Sequence, residues 1–385
     1  MRPYKICVIT ASRSEYGLLY PIIKRIHEDD ACELRLIVTG AHLEEEFGLT
    51  ARDIDSDGFG IIHKVRIFQG SNTLQILETM SNALLRVGSI LYEIKPQMVV
   101  ILGDRYELLP IAGACVALKI PVAHISGGEI SEGAYDEYFR HAITKLSYLH
   151  FTSTQDYRRR VIQLGESPER VFCVGDLGIE NINRLERLSK EQLESELGIT
   201  LREKLLLVTF HPTTLESNST EQLVELLKSL EEKHEFLIIF TRSNADTGGS
   251  ELNRLIDDFV LEDRLNRHVF PSLGHKRFLS LAAYSTAVVG NSSSGIVEIP
   301  SLGVGTINIG TRQKGRICAD SVIHCKADKK EILEALEKVS TREYRNRLKK
   351  TINPYESNNT SKIILEEIKR AIKDYSSMRK KFYDL

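Results

Sequence analysis

The sequence predicts an α/β protein of two doubly wound halves, each built on a parallel sheet buried on both faces. Short, nearly continuous apolar runs alternate with longer amphipathic stretches, which is the βαβ rhythm of a parallel sheet. That rhythm runs through residues 5–178 and restarts at 204. The chain of 385 residues also has the length for two or three domains.

The first half opens with the strand KICVIT at 5–10, a Ser/Gly-rich turn and the helix-like GLLYPIIKRIHED. Strands follow at 34–40 (LRLIVTG), 98–103 (MVVILG), 122–128 (VAHISGG) and 149–154 (LHFTST), with helical stretches at 71–92 and 106–118. VFCVGDLG at 171–178 reads as the last strand, and 180–200 as a polar helix and linker. In the second half, strand-like runs lie at 204–212 (KLLLVTFHP), 236–241 (FLIIFT), 268–273 (HVFPSL), 286–295 (TAVVGNSSSG) and 304–310 (VGTINIG). Residues 331–350 and 360–383 read as terminal helices split by the breaker NPYESNN. The expected organisation is a first domain over 1–178, a linker helix over 179–200, a second domain over 201–350, and a C-terminal segment over 351–385 packing back across the domains.

Composition narrows the function. With 51 Lys and Arg against 53 Asp and Glu, the net charge of -2 lacks the basic excess of a general nucleic-acid binder. No run of eighteen uncharged apolar residues is present to span a membrane, and the N-terminus lacks a signal-peptide pattern, so a cytoplasmic protein is expected. The six cysteines (Cys7, Cys32, Cys115, Cys173, Cys318, Cys325) form no C-x-x-C pair, which suits free thiols in a reducing compartment.

The polar residues gather where strands end, the usual place for a ligand in such sheets. After the first strand, SRSEYG puts Arg13 and Glu15 at a helix start, either an anion site or a capped helix with a surface arginine. LGDRYE delivers Asp104 and Arg105, a structural ion pair or site chemistry. HISGGEISEGAYDEYFRH carries His124, Glu129, Asp136 and Arg140, with two glycines that permit close backbone approach. Asp104, Glu129 and Asp136 form a candidate carboxylate cluster; like charges in one cleft split their pKa values into an acid and a base. Some of these acids equally suit capping of the helix that starts near Tyr135.

In the second half, TFHP places His211 past a strand, as a structural group or a site residue. TRSNADTGG carries Arg242 and Asn244. GNSSSGIVE presents Asn291, Ser292, Ser293, Ser294 and Gly295, hydroxyls and free N–H groups that suit phosphate, with Glu298 one turn on for ribose. GTRQKGR adds Arg312, Lys314 and Arg316, for a diphosphate or for surface salt bridges. No G-x-G-x-x-G follows the first strand and no Walker A motif occurs, which disfavours nicotinamide enzymes and P-loop NTPases.

In order, SRSEYG, LGDRYE, HISGGE…YDEYFRHAITK, TFHP, SNADTGG, GNSSSGIVEIPSLG and INIGTRQKGR make the chain resemble the hydrolysing UDP-N-acetylglucosamine 2-epimerases over residues 9–316, in particular their bacterial nonulosonate (sialic and legionaminic acid) branch. The resemblance implies a GT-B-like fold, two Rossmann-like domains around a central nucleotide-sugar cleft, assembled as a homodimer or homotetramer. It implies acid–base roles for Asp104 and the Glu129/Asp136 group, with His211 as a further catalytic residue that lies, with Arg13, near diphosphate and sugar. Ser292, Ser293 and Arg312 would then hold phosphates and Glu298 the ribose, with Glu15, Arg105, Arg242, Asn244 and Gly295 as further substrate contacts. Ser126 stands where the wider family has the glutamate of H-x-E, so Glu129 or Asp136 takes that duty. Glu15 stands where related members often carry aspartate.

The chemistry so implied needs no metal or other cofactor. A nucleoside diphosphate leaves C1 as a proton leaves C2, giving a 2-acetamidoglucal; water then adds at C1 and C2 is reprotonated on the opposite face. The expected reaction releases UDP and N-acetylmannosamine from UDP-N-acetylglucosamine. The alternative substrate is a UDP- or GDP-linked 2,4-diacetamido-2,4,6-trideoxyglucose. A non-hydrolysing epimerase, a GT-B glycosyltransferase and a non-enzymatic sugar-nucleotide sensor are the remaining competitors.

Overall fold

The computed structural model describes residues 3–132, 134–213, 216, 218–243 and 248–385. Thirteen strands among them form two parallel sheets. The first contains β1 (Tyr4–Thr10), β2 (Cys32–Thr39), β3 (Ile61–Val65), β4 (Met98–Leu102), β5 (Val122–Ile125), β6 (Leu149–Thr152) and β7 (Val171–Cys173), in the order β3-β2-β1-β4-β5-β6-β7. The second contains β8 (Leu205–Thr209), β9 (Leu237–Thr241), β10 (Arg267–Phe270), β11 (Ala287–Gly290), β12 (Gly305–Ile309) and β13 (Val322–Cys325), in the order β10-β9-β8-β11-β12-β13. Both are Rossmann-like, and together they make a GT-B-like fold. Strand order reverses at β1/β4 and at β8/β11, and such a switch point opens a crevice at the carboxyl ends of the strands.

The apolar runs account for the two-sided burial. In β1, Ile6 and Val8 join a core with Leu19, Ile22, Ile23 and Ile26 of the helix Arg13–His27. Cys7 and Ile9 face the opposite core, with Val87, Leu108 and Ile111. In β8, Leu206 and Val208 pack against Leu223, Leu226 and Leu230 of the helix Ser219–Glu231, while Leu205 and Leu207 face Leu281 and Val288. Each fully buried Val, Leu or Ile contributes roughly 1.5–3 kcal/mol, so neither sheet can turn a face to water.

The chain divides into two compact units: Met1–Glu129, Asp136–Asn181 and Ser357–Leu385 in one, Ile130–Tyr135 and Ile182–Glu356 in the other. The helix Thr360–Asp374 places Ile364, Leu365, Ile368 and Ile372 in the first core. Its entry is fixed by Thr360, which donates to the Val174 carbonyl at 2.7 Å, and by Ser361, whose N–H and hydroxyl both meet the Glu180 carboxylate.

Several elements differ from the sequence-based expectation. The edge strands β3 and β13 are additional to the expected strands. The helix expected over 360–383 stops at Asp374. Beyond it Lys380 reaches both Glu166 oxygens and the carbonyls of Lys145 and Ser147, bonds available only to a non-helical tail. The helix expected over 331–350 is two, Lys329–Ser340 and Arg342–Leu348, because Thr341 is extended and caps the second through the Tyr344 N–H. All six cysteines are free, and no helix among the described residues is long and apolar enough to cross a membrane.

Candidate active site

In the first unit, the candidate residues occupy loops beyond β1, β4 and β5. Ser12 caps the helix Arg13–His27, and Glu15 turns back so that its Oε2 accepts the Ala11 N–H at 2.9 Å. Glu15 is buried, and burial pushes its carboxyl up to about 7; the Arg105 charge opposes this and the Glu107 charge adds to it. Between pH 4.5 and about 7 such a carboxyl is protonated in the folded chain while ionised in the unfolded one. Its stabilising contribution is therefore complete below pH 4.5 and is lost as pH rises through 7, a change on the order of 3 kcal/mol. Glu15→Gln is expected to remove that decline, matching wild type near pH 4 and exceeding it near pH 8 in urea midpoint.

Past β4, Gly103 turns the chain at a φ of 84° and presents Asp104. Arg140, fully buried on the helix Asp136–Leu146, pairs with the Asp104 carboxylate and with Glu137 Oε2 at 3.4 Å. Glu137 in turn holds His141 at 3.0 Å. Asp136 is the first residue of this helix, so Arg140, one turn on, links its first turn to the loop bearing Asp104. Arg105 is fixed separately: its Nε and one terminal nitrogen each lie 2.9 Å from Glu107 Oε1.

Below these loops sits His124, fully buried on β5. A carbonyl can only accept, so the 2.7 Å contact to the Gly103 oxygen means that Nε2 carries the proton. Burial pushes this imidazole down to about 4, so it is neutral and its Nδ1 accepts from Thr144 at 3.2 Å. His124 thereby holds the residue that precedes Asp104.

The next loop is strained. Ser126 lies at a φ of 64°, in the left-handed region. The close approach at the glycine pair is made by the protein itself. A Cβ on Gly128 would come within 2.6 Å of the Tyr157 carbonyl, and one on Gly127 within 3.0 Å of Thr144. Glu129 is buried, and its Oε1 accepts from Ser153 at 3.0 Å.

In the second unit, the candidate residues follow β8, β9, β11 and β12. Asn291 staples two strand ends at the switch point: its Oδ1 accepts the His211 N–H at 2.7 Å and its Nδ2 donates to the His211 carbonyl at 2.8 Å. The Asn291 carbonyl accepts from Arg312 at 3.2 Å and Gln313 at 2.9 Å. His211, Asn291 and Arg312 are thus one hydrogen-bonded group. Asn291→Ala is expected to cost about 1–3 kcal/mol through the His211 peptide groups it leaves unpaired, read as a lowered urea midpoint.

Ser292 precedes the short helix Ser293–Val297, and its hydroxyl makes no capping bond there. Gly295 is buried; a Cβ on it would meet the Thr306 methyl at 2.9 Å, so its want of a side chain serves packing on β12. Glu298 is buried, with Oε1 3.4 Å from His275 Nε2. One terminal nitrogen of Arg242 lies 2.8 Å from both Asp257 oxygens. Asn244 lies outside the described residues. Among the described residues, no group of three or more metal-ligating side chains converges.

Thus Arg140 brings Asp104 and the helix of Asp136 together, while Glu129 is held by Ser153 and Glu15 by its own turn. His124, Arg140 and Asn291 stand in the motifs without having been assigned roles from sequence. Arg140 had a signal: it shares its helix's buried face with Ile143 and Thr144, an arginine at a core-facing position. Ser153, on a different loop from Glu129, had none.

Residues 24–369 match the UDP-N-acetylglucosamine 2-epimerase family. The chain is 38% identical to the GDP/UDP-N,N'-diacetylbacillosamine 2-epimerase (hydrolyzing) of Campylobacter jejuni over 90% of each chain. It is 39% identical to the polysialic acid biosynthesis protein P7 of Escherichia coli, covering 99% of this chain and 97% of that one. Its fold is similar to that of the Neisseria meningitidis UDP-GlcNAc 2-epimerase solved with UDP-GlcNAc, with a TM-score of 0.79 at 21% identity over 95% of this chain and 100% of the other. The chain belongs to the UDP-N-acetylglucosamine 2-epimerase family. It is an enzyme, a nucleotide-sugar 2-epimerase of the hydrolysing type.

Proposed function

We propose that this enzyme hydrolyses and epimerises a nucleoside-diphosphate 2,4-diacetamido-2,4,6-trideoxyglucose, releasing the nucleoside diphosphate and the free manno-configured sugar for nonulosonate synthesis. The observation that carries the reading is the 38% identity, over nine tenths of each chain, to an enzyme named for N,N'-diacetylbacillosamine, which is that sugar. A second reading, UDP-N-acetylglucosamine giving N-acetylmannosamine, is favoured by the family description and by the 39% identity to the polysialic acid protein.

The chemistry is the same for both sugars. The C2 proton is weakly acidic, so its removal needs a placed carboxylate and a stabilised leaving diphosphate. Asp104 and either Glu129 or Asp136 act as the acid–base pair, giving up and receiving protons as the C1–O bond breaks and water adds at C1. Arg13, Arg105 and His211 contact the diphosphate and sugar. Ser292, Ser293 and Arg312 take phosphate oxygens and Glu298 the ribose hydroxyls, with Glu15, Arg242, Asn244 and Gly295 as further substrate contacts. The paired Asp104 and the Asn291 staple support this reading, since each holds a candidate group in one orientation before substrate arrives.

The test compares kcat/KM for UDP- and GDP-linked 2,4-diacetamido-trideoxyglucose with that for UDP-N-acetylglucosamine. The expected result is a preference for a diacetamido substrate of at least tenfold. A preference of that size for UDP-N-acetylglucosamine selects the second reading.

A further inference from the structure

The helix Asp136–Leu146 is moored to the rest of the first unit at three places. Arg140 pairs with Asp104, and Thr144 meets His124, which donates to the Gly103 carbonyl. The third place is its C-terminal end, where the last carbonyls have no partner within the helix. Ser147 takes two of them, through its N–H to Thr144 and its hydroxyl to Ile143. The ammonium of Lys380, 235 residues further along the chain, takes the Lys145 carbonyl at 2.8 Å, and it reaches the Ser147 carbonyl at 2.7 Å. A cation here also suits the negative end of the helix dipole. Lys380 is itself fixed: its Nζ lies 2.9 and 2.8 Å from the two oxygens of buried Glu166, which also takes Lys145 at 2.6 Å and His150 at 3.0 Å. Two residues on, the Phe382 ring lies against Gly165, where any Cβ would run into it, and the Tyr383 N–H donates to the Gly165 carbonyl at 3.0 Å. None of residues 375–385 is buried, so this segment adds little to the core. Its polar contacts gather on the end of one helix.

We propose that Lys380 is a positioning residue for the reaction: by clasping the C-terminal end of the helix Asp136–Leu146, it keeps Arg140 in register with the Asp104 carboxylate. The helix has 11 residues and is therefore about 16 Å long. Arg140 and Lys145 are about one and a half turns apart on it, so a shift permitted at the end is carried to Arg140. Arg140 is fully buried and directly paired with Asp104, and the carboxylate moves with its partner. All of these groups belong to the first unit. The inference rests on the acid–base role proposed for Asp104.

Full-length Lys380→Met tests it, with UDP-linked 2,4-diacetamido-2,4,6-trideoxyglucose or UDP-N-acetylglucosamine as substrate, whichever wild type turns over faster. Glu166 keeps Lys145 and His150 in this variant, so no carboxylate is stranded and the fold is expected to persist. A misplacement of about 1 Å costs on the order of 10²-fold, and kcat is expected to fall by about tenfold or more with KM within about twofold of wild type. Hydrogen exchange of the folded variant should quicken in the helix Asp136–Leu146 and stay unchanged in the helix Ser219–Glu231 of the second unit. In an Asp104→Asn background the same change should lower the remaining kcat by less than about twofold, because the group it positions is already gone. A Lys380 that only stabilised the fold would lower the urea midpoint and leave kcat of the folded enzyme as it is. Wild-type kcat in Lys380→Met beside a slow Asp104→Asn would overturn this proposal alone. So would unchanged exchange in the helix, or an undiminished loss in the Asp104→Asn background. Near-normal turnover of Asp104→Asn by itself would overturn the acid–base reading and this proposal with it.

Discussion

Replacing Asp104 with Asn is expected to lower kcat by about 10²–10⁴, the usual contribution of a placed acid or base, with a much smaller effect on folding. The amide keeps an oxygen for Arg140 at the same position, so the buried guanidinium is not stranded. What it loses is the ability to take and return a proton. Steady-state release of nucleoside diphosphate, measured beside a urea melt, separates the two effects. Turnover within threefold of wild type would leave Asp104 as a structural partner of Arg140 and remove it from the chemistry.

Arg140→Met carries the largest expected stability effect. Arg140 is 1% exposed and pairs with both Asp104 and Glu137. Removing it takes the partner from Asp104, while Glu137 keeps His141; breaking a buried pair from one side costs up to about 3–5 kcal/mol. The urea midpoint should fall accordingly. In the Arg140→Met background, the further change Asp104→Asn should cost less than in wild type, or even restore stability, because it discharges one stranded carboxylate. A coupling of about 0.5–3 kcal/mol in the double-mutant cycle is expected for groups in contact. Strict additivity would show that the ion pair has no energetic weight.

The parallel sheets were legible because their central strands must be apolar on both faces, and runs such as MVVIL and LLLVT admit little else. The strands that escaped notice, β3 with IIHKV and β13 with VIHC, sit at sheet edges. There one side of the ladder lacks a partner strand and burial is partial, so polar residues interrupt the pattern. The end of the last helix escaped for a different reason. The periodic pattern continues past Asp374, and the stop is set by the tertiary contacts of Lys380 with Glu166.

The candidate residues could be placed on strand-end loops from sequence, since polar clusters directly after apolar strands have few other uses. Their partners could not. Arg140 to Asp104, Ser153 to Glu129 and Asp257 to Arg242 are contacts across 36, 24 and 15 residues, set by how elements pack. The glycines show the same limit. Gly127 and Gly128 invited a ligand-facing reading, but their neighbours are Thr144, His124 and the Tyr157 carbonyl. Asn291 is intermediate: its place after β11 was evident, while its bonds to His211 depend on β11 lying next to β8.

The account turns on removal of the C2 proton and release of the sugar from its nucleotide. The direct measurement is NMR and mass analysis of the sugar formed in deuterated water from each candidate nucleotide sugar. The expected product from the preferred substrate is a free manno-configured sugar bearing one deuterium at C2, in equal yield with the nucleoside diphosphate. A product with protium retained at C2, or one still attached to its diphosphate, would contradict hydrolytic 2-epimerisation through a deprotonated C2.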